Sequence, residues 1–322
     1  MNVLISGIAG DIGFGVGRIL RDWGWTGQLY GIDVHSEHPG TFVFNRHHVA
    51  PRATHETYLG WLALHIERYK IGIFIPTSEA EIAVLTEHGL REIAGARILI
   101  ANRQAVTRSL DKHACMAFLA ARGLRVPDNG IVGVTAPNNY PVIVKPREGQ
   151  GSKHIQRVDD VQAFGERAIP GQIWQEYLTP QDQEYTCPVY HSAARGMHIL
   201  VLRRALSGGL TGRGEVISEP RIENYVAEIA RHLELDGAIN VQLRLTLDGP
   251  CLFEINPRLS STLVFRDKMG FCDLRWWIRD TVGLEHTPPL PSYLPPAPGT
   301  RFYRGAQEYV TRTPSATEEE HL

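Results

Sequence analysis

The chain has few of the features that mark secreted, membrane or nucleic-acid-binding proteins. Only four cysteines occur in 322 residues, and Cys115, Cys187, Cys251 and Cys272 lie far apart. Their spacing forms neither a paired metal motif nor a dense disulfide framework. We therefore expect isolated buried thiols in a reducing compartment, with the cytoplasm as the predicted location.

Excess charge and long apolar runs are also lacking. The formal net charge is −2, whereas a nucleic-acid-binding protein more often carries a basic excess on one face. No apolar run approaches the roughly 20 residues that a membrane-spanning helix needs. The first five residues read as a buried strand and not as a signal peptide. We therefore predict a soluble protein with neither a nucleic-acid nor a membrane partner.

The first hundred residues alternate short apolar runs with helical patterns. The predicted strands are 3–5, 29–33, 72–75 and 97–100, and the predicted helices are 15–21, 58–69 and 79–88. Alternation of this kind is typical of a parallel sheet covered by helices on both faces. The sequence thus predicts an N-terminal α/β, Rossmann-like domain over residues 1–105.

The pattern changes after a helix predicted at 112–122, which Gly123 and Pro127 end. Strands joined by tight turns follow, at 141–145, 173–178, 184–190, 239–245 and 251–256. We expect an α+β domain over 106–285, with a lid subdomain at about 112–174 and a C-terminal subdomain at about 175–285. Residues 286–322 form a proline-rich segment and a tail that contains Glu318–Glu320. Proline excludes that segment from helix interiors and central strands.

A glycine-rich turn follows the first strand. Gly7, Gly10 and Gly13 precede a helix, and Asp33 ends the next strand where it could meet a ribose hydroxyl. This arrangement supports one alternative function, an NAD(P)-dependent oxidoreductase. The glycine spacing differs from the dinucleotide motif, and no tyrosine has a lysine four residues later, as a short-chain dehydrogenase would require.

Two lysines and a glycine loop suggest a phosphate site. Lys112 opens a helix, and Lys145 ends an apolar strand, where a lysine needs an anionic partner. The loop that follows contains Gly149, Gly151 and Ser152. Glycines in such a loop let backbone N–H groups approach an anion closely. A flexible hairpin tip is the other interpretation of this loop.

Two strand ends supply candidate groups for a nucleoside. Gln175, Glu176, Tyr177 and Leu178 end one strand, and Glu184 begins the next. Backbone groups at a strand end can bind an adenine edge, and a carboxylate can accept hydrogen bonds from both ribose hydroxyls. Either glutamate alone could equally belong to an exposed acidic hairpin.

The strongest pattern is the hairpin of residues 239–256. Strict alternation puts Gln242 on the polar face of the strand 239–245, and Glu254 and Asn256 on the polar face of the strand 251–256. A three-residue loop, 247–249, keeps these faces together and sets Gln242 opposite Glu254. The three side chains then converge as hard oxygen ligands suited to Mg²⁺.

These segments, in this order and spacing, resemble the ATP-grasp superfamily, and in particular carbamoyl-phosphate synthase large-subunit-like and related carboxylate–amine ligases. The resemblance covers nearly the whole chain to about Gly283, and it implies an ATP site between two α+β subdomains. It places the phosphates at Lys112, Lys145, Gly149, Gly151 and Ser152. It places adenine at Gln175, Glu176, Tyr177 and Leu178, and the ribose at Glu184. It places the metal at Gln242, Glu254 and Asn256.

The resemblance also implies the chemistry. ATP would bind with Mg²⁺, or with Mn²⁺ as the alternative metal. It would activate a small carboxylate as an acylphosphate, which an amine would then attack. Arg258 would lie near the transferred phosphoryl group, with Arg204 or Arg213 as further catalytic candidates. Glu79 and Glu81 follow a strand of the N-terminal domain and are candidate substrate-binding residues, although first-turn acids also complement a helix dipole. A non-catalytic nucleotide-binding protein is another alternative, and a homodimer is possible.

Overall fold

The structure is a computed structural model that describes residues 1–149, 154–305 and 307–309. The described residues form three sheets flanked by helices. The strands are β1 (Asn2–Ser6), β2 (Leu29–Asp33), β3 (Arg46–Val49), β4 (Ile71–Ile75), β5 (Glu92–Ile93), β6 (Ala96–Ile98), β7 (Asn129–Ile131), β8 (Val142–Lys145), β9 (Gln156–Val158), β10 (Ile173–Glu176), β11 (Glu184–Ser192), β12 (Gly196–Ile199), β13 (Leu202–Ser207), β14 (Leu210–Val216), β15 (Gly237–Thr246), β16 (Gly249–Asn256) and β17 (Arg301–Tyr303). The helices are α1 (Asp11–Asp22), α2 (Tyr58–Tyr69), α3 (Glu79–Glu87), α4 (Arg103–Leu110), α5 (Lys112–Ala120), α6 (Val161–Arg167), α7 (Pro220–His232), α8 (Leu263–Lys268) and α9 (Asp273–Val282). Within the described ranges, no helix is both long enough and apolar enough to span a bilayer.

The N-terminal sheet has the order β3-β2-β1-β4-β6-β5, and its pairs are parallel except β5 with β6. Its central strand is buried on both faces. Val3 and Ile5 pack into one core, and Leu4 packs into the other. This confirms the predicted parallel sheet with both faces covered.

The glycine-rich turn brings α1 unusually close to β1. Gly7 has a φ of +63°, a backbone conformation that glycine adopts readily. A Cβ atom on Gly13 would lie 2.4 Å from the carbonyl oxygen of Gly7. The glycines therefore allow the first turn of α1 to pack directly on the loop.

A small sheet has the order β7-β10-β8-β9 and its own core of Val132, Val142, Val144, Val158 and Trp174. Strand β10 pairs with both β7 and β8, so residues 175 and 176 are part of this sheet. We propose that this unit, extended to Glu176, is the lid subdomain.

The largest sheet is antiparallel and has the order β16-β15-β11-β13-β14-β17, with β12 beside β11. Helix α7 covers one face through Ile222, Val226 and Ile229, which join the same core as Val241 and Leu243. The opposite face of β11, β15 and β16 carries polar side chains. It is this polar face that builds the site described below.

The hairpin of β15 and β16 confirms the predicted pairing of Gln242 with Glu254 but not the predicted loop. The turn has two residues, Leu247 and Asp248, because Gly249 pairs with Thr246. A register shift then occurs between Gln242 and Leu243, which leaves an extra residue, Phe253, in β16. The extra residue of this β-bulge puts Gln242 and Glu254 on the same face, an effect that the prediction assigned to a three-residue loop.

The C-terminal part returns to the large sheet. Residues 287–300 form no helix or strand, as their proline content predicts, and β17 then pairs with β14. Trp276 and Trp277 are buried on α9, and all four cysteines are buried free thiols, as predicted. The predicted tail with Glu318–Glu320 lies outside the described residues.

Candidate functional site

A cleft of about 780 Å³ separates the carboxyl edge of the N-terminal sheet from the polar face of the large sheet. The glycine-rich turn, Asp33 and Glu81 line one side. Gln242, Glu254 and Asn256 line the other. One predicted substrate residue, Glu81, and the three predicted metal residues therefore line the same cleft.

Two buried lysines lie beside the metal candidates. Lys112 donates to the carbonyl oxygen of Gly149 at 2.8 Å and lies 3.5 Å from the Glu254 carboxylate. Lys145 donates to the carbonyl oxygen of Phe253, the bulged residue, at 3.0 Å. Burial lowers the pKa of Lys145 to about 8, although Glu254 opposes the shift. Both lysines thus place a positive charge near Glu254.

The start of the glycine loop is tied to helix α5. Asp111 caps the helix by accepting from the backbone N–H groups of His113 and Ala114. Its carboxylate also accepts from Arg147 at 2.8 and 2.5 Å. Since Arg147 directly follows Pro146 and Lys145, this ion pair fixes the strand end that carries Lys145. The candidates Gly151 and Ser152 lie outside the described residues.

Glu184 lies between two arginines. Its carboxylate accepts from Arg204 at 2.9 Å and from Arg244 at 2.6 Å. Arg204 also donates to the Oε1 atom of Gln242 at 2.9 Å, and Arg244 donates to the carbonyl oxygen of Leu178 at 3.0 Å. These bonds join the predicted ribose, adenine and metal residues into one network.

The predicted adenine strand shows a division of roles. Gln175 is buried, and its side chain donates to the Sδ atom of Met116 and the carbonyl oxygen of Phe253. The Gln175 amide group therefore stabilises the position of Phe253 from the protein interior. Glu176 is exposed, and its carboxylate accepts from the backbone N–H of Asp128. The backbone of Tyr177 donates to the Pro141 carbonyl at 3.3 Å.

Gln242, Glu254 and Asn256 each present an oxygen to a cationic side chain. The partners are Arg204 for Gln242, Lys112 for Glu254 and, at 2.8 Å, Arg258 for Asn256. The Nδ2 atom of Asn256 is buried without a hydrogen-bond partner in the described structure. Two amide oxygens and one carboxylate are hard ligands that fit Mg²⁺ when phosphate oxygens complete its shell.

The two candidate substrate glutamates have different surroundings. Glu79 forms an ion pair with Arg258 at 3.1 Å, and burial raises its pKa against that attraction. Glu81 accepts hydrogen bonds from Ser6 and Tyr58, and burial raises its pKa to about 7. Thus Glu79 is paired with Arg258, and Glu81 is bonded to Ser6 beside the glycine-rich turn.

Arg213 lies farther along the large sheet. It pairs with Ala205 on β13 and with Tyr303 on β17, and its side chain is exposed. Side chains alternate along β13, so this row lies on the opposite face from Arg204. Arg213 nevertheless lines a cavity together with Glu184 and Arg204, and its catalytic role stays a prediction.

Asp33 is already engaged by the turn that suggested dinucleotide binding. Its two carboxylate oxygens accept from the backbone N–H groups of Ala9 at 2.8 Å and His35 at 3.0 Å. The carboxylate therefore stabilises the loops around the cleft. This arrangement gives no support to the oxidoreductase alternative.

Asn240 lies where the alternation of β15 predicts it. It is buried opposite Asn256 and accepts from Thr186 at 2.9 Å. Two other groups of the site were missed in the sequence. The bulged carbonyl of Phe253 and the contact between Arg304 and Asp11 had no local signal, because each depends on residues distant in sequence.

Comparison with known proteins agrees with this architecture. Residues 169–289 match the family described as ATP-grasp in the biosynthetic pathway with Ter operon. The matched stretch is less than half of the chain. It includes most of the large sheet and all three metal candidates.

Solved structures extend the likeness to most of the chain. An L-amino acid ligase from Bacillus licheniformis has 15% identity and a TM-score of 0.64, over 84% of this chain and 70% of that one. An N5-carboxyaminoimidazole synthetase from Staphylococcus aureus, complexed with ADP, has 16% identity and a TM-score of 0.67, over 83% and 73%. A biotin carboxylase–β-γ-ATP complex from Campylobacter jejuni has 14% identity and a TM-score of 0.66, over 90% and 72%. Identities this low establish a shared fold.

Proposed function

We propose that the chain is an ATP-dependent carboxylate–amine ligase of the ATP-grasp type, which its fold and the family match over residues 169–289 support. One observation carries the proposal. Gln242, Glu254 and Asn256 lie on one polar face, and each of their oxygens meets a cationic side chain. Such alternation of oxygen ligands and cations suits a metal together with a triphosphate.

In this proposal the nucleotide lies between the lid and the large sheet. Lys112 and Lys145 bind its phosphates under the loop that begins at Gly149, with Gly151 and Ser152 as further contacts. The backbone of residues 175–178 holds adenine, and Glu184 holds the ribose. Gln242, Glu254 and Asn256 would hold Mg²⁺, which neutralises phosphate charge when bound.

The proposed reaction has two steps. A carboxylate oxygen of one substrate attacks the γ-phosphorus, the bond to the β-phosphate oxygen breaks, and ADP leaves. The amine nitrogen of the second substrate then attacks the carbonyl carbon, loses a proton and displaces inorganic phosphate. Arg258 and Arg204 stabilise the transferred phosphoryl group, and positioning supplies most of the remaining acceleration.

Substrate binding is proposed for the N-terminal end of the cleft. Open α/β sheets place ligands at the carboxyl ends of their strands, where Glu79 and Glu81 lie. The L-amino acid ligase of similar fold acts, as its name states, on amino acids. We therefore place amino acids and other small carboxylates first among the candidate substrates.

The test is a screen of amino acids and small carboxylates, singly and in pairs, for ADP release with Mg²⁺. We expect at least one pair to release ADP, and Glu254→Gln to lower the rate by about 100-fold or more. Glu215→Gln is the matched control, because Glu215 lies on the opposite face of the same sheet and pairs with Arg203. Absence of ADP with every pair, or equal effects of both variants, would contradict the proposal.

A further inference from the structure

The C-terminal segment, residues 301–305 and 307–309, contacts both the large sheet and the N-terminal domain. Strand β17 pairs with β14, and the backbone N–H of Arg304 donates to the Gly212 carbonyl at 2.7 Å. Further along, the Tyr309 ring stacks on Phe42 at 4.9 Å and meets the edge of Phe14 at 5.8 Å. The segment thus contacts both the large sheet and the N-terminal domain.

Arg304 is the residue where this segment meets the cleft. Its Nε atom donates to the Thr211 carbonyl at 3.0 Å, and its Nη2 atom donates to the Ser261 carbonyl at 2.8 Å. The same Nη2 atom lies 3.6 Å from the Oδ2 atom of Asp11. Three elements therefore meet at one guanidinium: β14, the loop after β16, and the first turn of α1.

Two of these partners line the cleft from opposite domains. Asp11 belongs to the glycine-rich turn and α1, and Ser261 follows Arg258 by three residues in the loop after β16. The Oδ2 atom of Asp11 is buried and has no hydrogen-bond donor within the described ranges. Burial raises the pKa of Asp11, and the positive charges of Arg304 and Arg258 oppose that shift.

We propose that Arg304 is a positioning residue that holds Asp11 and Ser261 at a fixed separation and so sets the acceptor end of the cleft against Arg258. The planar guanidinium suits this role because it can donate to two carbonyls and face a carboxylate at the same time. The inference rests on the proposed ligase function, in which the acceptor is the carboxylate substrate that receives the phosphoryl group. A misplacement of about 1 Å between reacting groups lowers rates about 100-fold, so a distant support can govern catalysis.

The experiment compares Arg304→Met with Arg301→Met in the full chain, using the pair that releases most ADP in the screen. Arg301 is the matched control because it is exposed and lies on the same segment, next to Glu215. We expect Arg304→Met to raise the KM of the acceptor about tenfold and leave the Kd of MgATP within twofold. Arg304→Lys should give an intermediate KM, because an ammonium cannot make all three contacts at once. Arg301→Met should match the unmodified protein.

Amide hydrogen exchange gives a readout that does not need substrates. We expect Arg304→Met to speed exchange about tenfold at residues 12–14 and 261–263, with no change in Arg301→Met. If no substrate pair releases ADP, the proposed function fails, and this exchange pattern still decides the role of Arg304. Unchanged exchange, an unchanged acceptor KM, or equal loss of MgATP and acceptor binding would overturn the positioning role.

Discussion

At the scale of the residue, the most informative group is Lys145. Its ammonium is buried at the end of β8 with one backbone carbonyl as hydrogen-bond acceptor. Burial lowers the pKa of this lysine from 10.5 to about 8. A buried ammonium destabilises the folded protein unless an anion compensates its charge. The position of Lys145 is therefore explained by anion binding and not by a contribution to stability.

We expect Lys145→Met to weaken MgATP binding at least 100-fold and raise the free energy of unfolding by about 1–3 kcal/mol. Below pH 8 both folded and unfolded Lys145 are charged, so the burial cost is fully present. As pH rises from 8 to 10.5 the folded lysine loses its proton first, the unmodified protein gains stability, and the advantage of the variant shrinks.

Calorimetric titration with MgATP and urea unfolding at several pH values measure both effects. Lys268→Met, at an exposed position on α8, is the control and should change neither quantity. A variant at 145 that binds MgATP normally, or that is less stable than the unmodified protein at pH 7, would contradict this role.

At the scale of the element, β17 shows why the chain after residue 286 matters to the fold. Phe302 is buried against Phe265, with ring centroids 4.8 Å apart, while its neighbour Tyr303 is two-thirds exposed. The strand therefore contributes a core residue to the large sheet and places Arg304 beside the cleft.

We expect Phe302→Ala to lower the free energy of unfolding by about 3 kcal/mol, because it removes a buried ring and leaves a cavity. Tyr303→Ala, one position later on the exposed side, should change stability by less than about 0.5 kcal/mol. Chemical denaturation of both variants measures the difference. Equal effects would show that β17 does not pack as described.

The hairpin of β15 and β16 shows how far sequence reasoning reaches at this scale. Strict alternation correctly predicted that Gln242 pairs with Glu254, because a buried face fixes parity. It did not predict the bulge at Phe253, since a bulge and a longer loop restore parity equally well. The bulge matters because it leaves the Phe253 carbonyl to accept from Lys145.

At the scale of the whole molecule, the described residues form three sheets, and the N-terminal sheet and the large sheet share their cores. One cluster runs from Leu4 and Phe74 in the N-terminal sheet to Val241 and Ile255 in the large sheet. Only the small sheet has a separate core among the described residues. Sequence patterns identify elements and local faces. They do not show which faces of distant elements meet, so the sequence alone could not give the hydrogen bond between Arg204 and Gln242.

The central claim is that ATP activates a carboxylate as an acylphosphate. The most direct test supplies the carboxylate labelled with ¹⁸O and measures the isotope content of the inorganic phosphate released. We predict one ¹⁸O atom in each phosphate, because the attacking carboxylate oxygen stays with phosphorus when the amine displaces it. Release of unlabelled phosphate, or formation of AMP and pyrophosphate in place of ADP, would contradict the account.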